Sequence, residues 1–248
     1  MIRLQGVSKR YRGASTYAVR NLDLEVKPGE IFGFLGPNGA GKTTTIKMIV
    51  GLLRADQGKV LVNGHDLRTE AIAAKRSMGF VPDKPDLYPR LTGLEFLNLI
   101  GDVYGVDSPT RRKRLDHYLE MFQLTEAVGD LIQSFSRGMQ QKLALTGALL
   151  HAPALFILDE PMVGLDPKSS HLFKEVMRNH VKQGNTVFFS THVLEVAEQL
   201  CHRVGIINQG ELVACGTMAE LRRSPRHAGS SLEKLFLELT DEGGFDEE

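Results

Sequence analysis

The chain has 248 residues, 42% of them hydrophobic and 24% charged, which is length and apolar content enough for a sizeable buried core. Its 30 basic side chains are matched by 30 acidic ones, so net charge gives no drive toward a nucleic-acid partner, which calls for a basic excess. Two cysteines without a CxxC pair fit a reducing compartment rather than a disulfide scaffold.

No run approaches the roughly 20 apolar residues that span a bilayer. The N-terminal MIRLQGVSKRYRG lacks the apolar stretch of a signal peptide. Together these features predict a cytoplasmic chain whose membrane role, if it has one, passes through a partner.

In chain order, Leu22, Leu24 and Val26 alternate with polar residues and predict a half-buried strand. After the Pro28-Gly29 turn, IFGFL (31–35) is the short continuous apolar run expected of a buried parallel strand. The loop GPNGAGK follows, then a helix over 43–53 and strands over 58–64 and 78–82, with Asn63-Gly64 supplying a turn.

From about residue 84 to residue 150 the pattern is helical. Thr92 and Glu95 match a capping box, and Leu94, Leu97, Ile100 and Tyr104 follow at helical spacing. Ser108 before Pro109 predicts the start of a second helix, with Leu115, Tyr118, Leu119 and Phe122 as its apolar stripe. The basic cluster Arg111, Arg112, Lys113 and Arg114 reads as its solvated face.

The β/α rhythm then returns. A strand over 154–158, a helix opened by Asp166-Pro167 and closed at Gly184, and a buried strand over 185–191 precede a hairpin of 204–208 with 211–215 around Gln209-Gly210. The acidic tail (Asp241, Glu242, Asp246, Glu247, Glu248) is expected to fray. The whole predicts a single domain over 1–240, an α/β core with a helical insert at about 84–150, followed by a tail over 241–248.

Two motifs carry chemistry. Gly36, Pro37, Asn38, Gly39, Ala40, Gly41, Lys42 and Thr43 fit the G-x4-G-K-[ST] pattern between an apolar strand and a helix. Side-chain-free glycines let successive backbone N–H groups curl around phosphate oxygens, and the N-terminus of the following helix adds positive potential. Lys42 is expected on the β- and γ-phosphates and Thr43 on Mg2+, with Thr44 beside them in the ATP-binding set.

The second motif is Asp159-Glu160 at the end of the apolar run LFIL, where parallel sheets bind their ligands. Asp159 is expected to partner Mg2+ and Glu160 to polarise the attacking water. A P-loop alone leaves ATPases, GTPases and kinases open.

With these residues in place, the sequence resembles the nucleotide-binding subunits of ABC transporters from Tyr11 to LEKLFLELT (232–240). The diagnostic segment is Phe135-Ser136-Arg137-Gly138-Met139-Gln140-Gln141, which looks like the family's signature, usually LSGGQ. Its serine and glycine at a helix start aim hydroxyl and N–H donors at an anion, although a plain N-cap would look the same.

The resemblance implies a P-loop NTPase core with a mainly parallel sheet, an N-terminal antiparallel β subdomain and an inserted helical subdomain. It also implies that Ser136, Arg137, Gly138, Met139 and Gln140 face ATP held by a second subunit, identical or homologous. Tyr11 would stack on adenine, Asp166 of Gly164-Leu165-Asp166 would reach the opposite subunit, and His192 would contact the γ-phosphate. Taken alone, Tyr11 reads as a strand-edge tyrosine and His192 as a structural histidine.

Two positions depart from the family pattern: Asp83 stands where many members have glutamine near Mg2+, and Arg137 replaces the first signature glycine. The implied function is ATP hydrolysis, with ATP and Mg2+, coupled to separate integral-membrane permease subunits on the inner face of the membrane, with export favoured. Residues 84–104 would receive a permease helix. A nucleic-acid-directed member of the same superfamily would carry two cassettes or a long coiled coil, and a GTPase would carry NKxD. Neither is found here.

Overall fold

The computed structural model describes residues 1–162, 165–223 and 232–241. Three strands and a short fourth form the first sheet: β1 (Ile2–Lys9), β2 (Val19–Val26), β4 (Gln57–Val62) and β5 (His65–Asp66). They pair antiparallel in the order β2-β1-β4-β5. Between β2 and β4 the chain runs through β3 (Ile31–Leu35) and α1 (Lys42–Ile49), and after β5 through α2 (Ala71–Arg76) and β6 (Met78–Val81).

The insert holds α3 (Gly93–Val103), α4 (Ser108–Met121) and α5 (Arg137–Leu150). Then come β7 (Leu155–Asp159), α6 (Pro167–Lys182), β8 (Thr186–Thr191), α7 (Leu194–Leu200), the hairpin β9 (Arg203–Asn208) and β10 (Glu211–Gly216), α8 (Met218–Leu221) and α9 (Leu232–Asp241).

The second sheet has the order β10-β9-β3-β8-β7-β6, and every pair in it is parallel except the β9/β10 hairpin. Both faces of its central strands are covered, which is why β3, β7 and β8 are buried at every position rather than alternately. Strand β3 illustrates this. Phe32 and Phe34 pack with Phe188 against α1 and the antiparallel sheet, while Ile31 joins the core on the opposite face, beneath the insert. The antiparallel sheet is one-sided: Leu22, Leu24 and Val26 are buried and the residues between them are exposed.

Local chemistry sets the helix ends, and three of the sequence expectations shift. Helix α1 stops at Ile49 rather than running to 53, because Gly51 takes φ 67° and the chain closes a Schellman turn, with Leu52 N–H bonding Lys47 C=O at 2.9 Å. Helix α4 is capped by Asp107, whose carboxylate accepts from Thr110 N–H at 3.0 Å, so Ser108 is its first residue and not its cap. On α3 the buried face runs through Gly93, Phe96, Leu97 and Gly101, which leaves Leu94 and Tyr104 partly in solvent.

The capping box of Thr92 and Glu95, the Asp166 cap on α6, and the Asn63-Gly64 and Gln209-Gly210 turns, all four of whose residues have positive φ, occur as the residue types require. The acidic tail from 242 onward lies outside the described residues.

Candidate functional site

The C-terminal ends of the parallel strands converge on a cleft of about 270 Å3 lined by Pro37, Asn38, Gly39, Gly41, Lys42, Thr43, Thr44, Asp83, Asp159 and Glu160, with Ala18 at its edge. Strand β3 delivers the glycine-rich loop, β6 delivers Asp83, and β7 delivers the acidic pair.

The loop is held by close backbone approaches that only glycine allows. A Cβ on Gly36 would lie 2.4 Å from Ile207 C=O, and one on Gly41, at φ 108°, would lie 2.5 Å from Ala18 C=O. Gly39 faces open space at φ 81°.

Helix α1 starts at Gly41 with no side-chain cap and no acidic residue in its first turn. By contrast, Thr92, Asp107, Ser136 and Asp166 cap α3, α4, α5 and α6 with side-chain oxygens. An uncapped helix N-terminus opening on a glycine loop offers N–H donors and positive potential to an anion. A polyphosphate fits where the missing cap oxygen would sit.

Lys42 is buried, its Nζ donating to Gly36 C=O at 2.6 Å and Pro37 C=O at 3.2 Å and lying 3.8 Å from Glu160 Oε1. The ammonium is therefore held at the loop by carbonyls, within reach of any phosphate the loop takes up. Glu160 is at φ 49°, an uncommon conformation for a residue with a side chain. Its Oε2 lies 3.0 Å from His192 Nδ1, which joins the ends of β7 and β8.

Beneath this pair, Ser190 Oγ donates to Asp159 Oδ1 at 2.6 Å and accepts from Glu160 N–H at 3.1 Å. One buried hydroxyl thus holds the Asp159 carboxylate and the Glu160 backbone together. Sequence reasoning missed Ser190, whose signal was a hydroxyl closing the apolar run Val187-Phe188-Phe189.

For a divalent cation, the cleft offers the Thr43 hydroxyl and the carboxylates of Asp159 and Asp83. All are hard oxygen donors, the kind Mg2+ takes. Among the described residues no cluster of three or more His, Cys, Asp or Glu could cage a metal by itself. An ion completed by phosphate oxygens and water fits such a partial set better than a resident metal.

Tyr11 is 44% exposed, with its hydroxyl 3.3 Å from Thr44 Oγ1, so a flat aromatic stands free beside the loop. Ser136, Arg137, Gly138, Met139 and Gln140 do not line the cleft. Ser136 caps α5 by accepting from Met139 N–H at 3.3 Å, Gln140 Nε2 donates to Phe135 C=O at 3.2 Å, and Arg137 reaches Asp83.

Asp166 serves its own chain, accepting from Ser169 N–H and Oγ at 2.9 and 2.5 Å. Those bonds hold its carboxyl well below the usual carboxylate range. Gly164 lies outside the described residues.

A mainly parallel sheet whose strand ends hold a glycine cradle, a lysine and an acidic pair defines a P-loop NTPase. A family model described as "ABC transporter" matches residues 19–163, and the chain belongs to that family as an ATP-binding, ATP-hydrolysing component.

Among curated relatives, the linearmycin resistance ATP-binding protein LnrL of Bacillus subtilis is 42% identical over 221 residues, covering 89% of this chain and 70% of that protein. The daunorubicin/doxorubicin resistance ATP-binding protein DrrA of Streptomyces peucetius is 37% identical, covering 95% of this chain and 70% of its own length. Among solved structures, an ATP-binding subunit of an ABC transporter superposes with a TM-score of 0.92 at 34% identity, covering 96% of this chain and 99% of that one. The dimeric post-hydrolysis cassette MJ0796 bound to ADP and Pi superposes at 0.81 with 28% identity, covering 88% and 99%.

Proposed function

We propose that this chain is the ATPase of an exporter whose membrane-spanning part is supplied by other subunits, and that it works by closing head-to-tail with a second ATP-binding subunit around two Mg-ATP molecules. The observation that carries this reading is the division of the site. The cradle, Lys42, Asp83, Asp159 and Glu160 line one cleft, whereas the signature serine sits exposed at the start of α5 and lines no part of it. An exposed donor set on the same chain is useful to a nucleotide held by another copy.

In this reading residues 1–240 act as one domain and Tyr11 stacks on the adenine. The loop N–H groups and Lys42 bind the phosphates, and in moving to them Lys42 leaves the carbonyls of Gly36 and Pro37. His192 and the Ser190-braced backbone hold the Glu160 carboxylate where it accepts the proton of the attacking water. Mg2+, held by Thr43 and Asp159 with Asp83 nearby, would neutralise charge on the phosphate oxygens. The barrier falls through positioning and electrostatics, with no covalent intermediate on the protein.

Among the described residues no helix is long and apolar enough to cross a membrane, and in this reading the coupling is by docking. A groove between β6 and the insert, lined by Phe80, Pro85, Leu87, Phe96, Ile100 and Tyr104, suits a short apolar helix of a permease. The names of LnrL and DrrA, both resistance proteins, support export. This would place the chain at the cytoplasmic face of the membrane.

The test is Glu160→Gln. The variant should bind ATP like the parent, lose turnover by about a hundredfold or more, and elute as a dimer with Mg-ATP. Turnover at the parent rate would remove Glu160 from its role, and a chain that stays monomeric alone and with its homologous mate would remove the closure. Co-purification of a membrane subunit from detergent extracts tests the docking.

A further inference from the structure

Arg137 and Asp83, two charged residues from different elements, touch each other. Arg137 Nη2 lies 3.5 Å from Asp83 Oδ1, joining the start of α5 to the loop after β6. Asp83 also lines the nucleotide cleft, so one carboxylate faces both the signature helix and the place where Mg2+ and phosphate would sit.

Arg137 is otherwise badly located. It is the first residue of α5, where the helix dipole is positive and a cation is disfavoured. A local rule broken at a single residue, beside an acidic side chain that compensates it, points to use rather than accident. The side chains are 57% and 38% exposed, so the pair is screened and readily broken.

Farther along the same helix, Lys142 lies 3.4 Å from Asp166, and its side chain is only 14% exposed. Five residues separate the two cations, about 7–8 Å along the axis and on different sides of the helix. Helix α5 is therefore clasped to the core twice, at the start by a weak contact and one to two turns later by a better-covered one.

Resting on the nucleotide reading above, we propose that Arg137 and the Mg2+-nucleotide compete for Asp83. Loading the cleft takes the carboxylate from Arg137 and frees the start of α5, which stays tethered through Lys142 and Asp166. Linkage makes the effect reciprocal: a contact that holds Asp83 toward Arg137 weakens cation-dependent nucleotide binding by the same factor.

The experiment titrates Mg2+ against the full-length chain and a fluorescent, non-hydrolysable ATP analogue, and reads the Mg2+ concentration at half-saturation. Arg137→Gly should lower it by about two- to fivefold, the span of an exposed ion pair, and Arg137→Ala should do the same with less risk to the helix start. Asp83→Asn should raise it, and adding Arg137→Gly to Asp83→Asn should change nothing further.

The proposal is overturned if neither Arg137 variant shifts the Mg2+ requirement, or if the shift is equally large in the Asp83→Asn background, which would mean that Arg137 acts on the nucleotide directly. Failure of the parent chain to bind the analogue at any Mg2+ concentration is a different result and would sink the reading of the cleft itself.

Discussion

Helices α1 and α5 both begin with glycine-containing segments, yet their N-termini are built in opposite ways. The start of α1 is made of backbone: glycines pressed against Ile207 and Ala18, a buried lysine, and no capping side chain, so its N–H donors stay available to a ligand. The start of α5 is made of side chains: Ser136 caps it, Arg137 reaches out to Asp83, and both are exposed. The first leaves its donors open and, on the proposed function, is the half-site that binds within its own chain. The second is satisfied by its own residues and, on the same proposal, becomes a binding surface only when another molecule outcompetes them.

The comparison breaks most decisively at Lys42. Lys42→Ala removes the cation of the first half-site, and nucleotide affinity of the single chain should fall about a hundredfold. Equilibrium binding of a fluorescent ATP analogue measures it, and an unchanged affinity would mean that the cradle does not grip phosphate as drawn.

Next is Ser190→Ala, which strands a buried carboxylate and the Glu160 N–H together. It should lower folding stability by about 2 kcal/mol in urea denaturation and reduce turnover by more than it reduces ATP binding.

A third prediction concerns the seam between core and insert, where His151 stacks on Tyr104 at 3.7 Å and meets Met78 C=O at 3.2 Å. Burial, with a smaller contribution from Arg114, lowers its pKa from the usual 6.5 to about 4. Because the folded pKa lies below the unfolded one, this stabilisation is complete above pH 6.5 and is lost as the pH falls toward 4. Between pH 7 and pH 5 the loss should be about 1–2 kcal/mol. Urea midpoints at the two pH values should differ less in His151→Phe, which keeps a ring on Tyr104 without the proton.

The smallest effect should come from Ser136→Ala. It costs α5 its cap, about 0.5–1 kcal/mol of stability, and should leave nucleotide affinity of the isolated chain within about twofold of the parent. A large loss of single-chain affinity would erase the distinction between the two helix starts.

Some of this was legible from residue order because its causes are local. The G-x4-G-K-[ST] loop, the acidic pair closing an apolar strand, the capping box at Thr92 and the Asn63-Gly64 turn each depend on backbone conformations that a few neighbouring residues impose. Errors arose where two local signals competed. Apolar spacing carried α1 to residue 53, but the left-handed Gly51 ended it at Ile49. At α4 the adjacent Ser-Pro is itself a helix-start signal and masks Asp107, the residue that caps the helix. On α3, periodicity alone did not fix which face is inward. Packing against α5 buried Phe96 and Leu97, the Arg111 side chain of α4 covered Gly101, and Leu94 and Tyr104 stayed partly exposed.

Motifs a few residues long carry the class of chemistry, the family and most of the residues lining the cleft, whereas Asp83 follows only from the family resemblance and Ala18 only from the fold. How these residues are braced, and which of them meet, follows from the fold. The Ser190 hydroxyl reaches Asp159 across 31 positions, His192 reaches Glu160 across 32, and Arg137 finds Asp83 from another subdomain. Such contacts depend on strand order and on where the insert lies against the sheet. Side chains adjacent in space but remote in sequence leave no short-range pattern, because each is free to be almost any residue its local backbone tolerates.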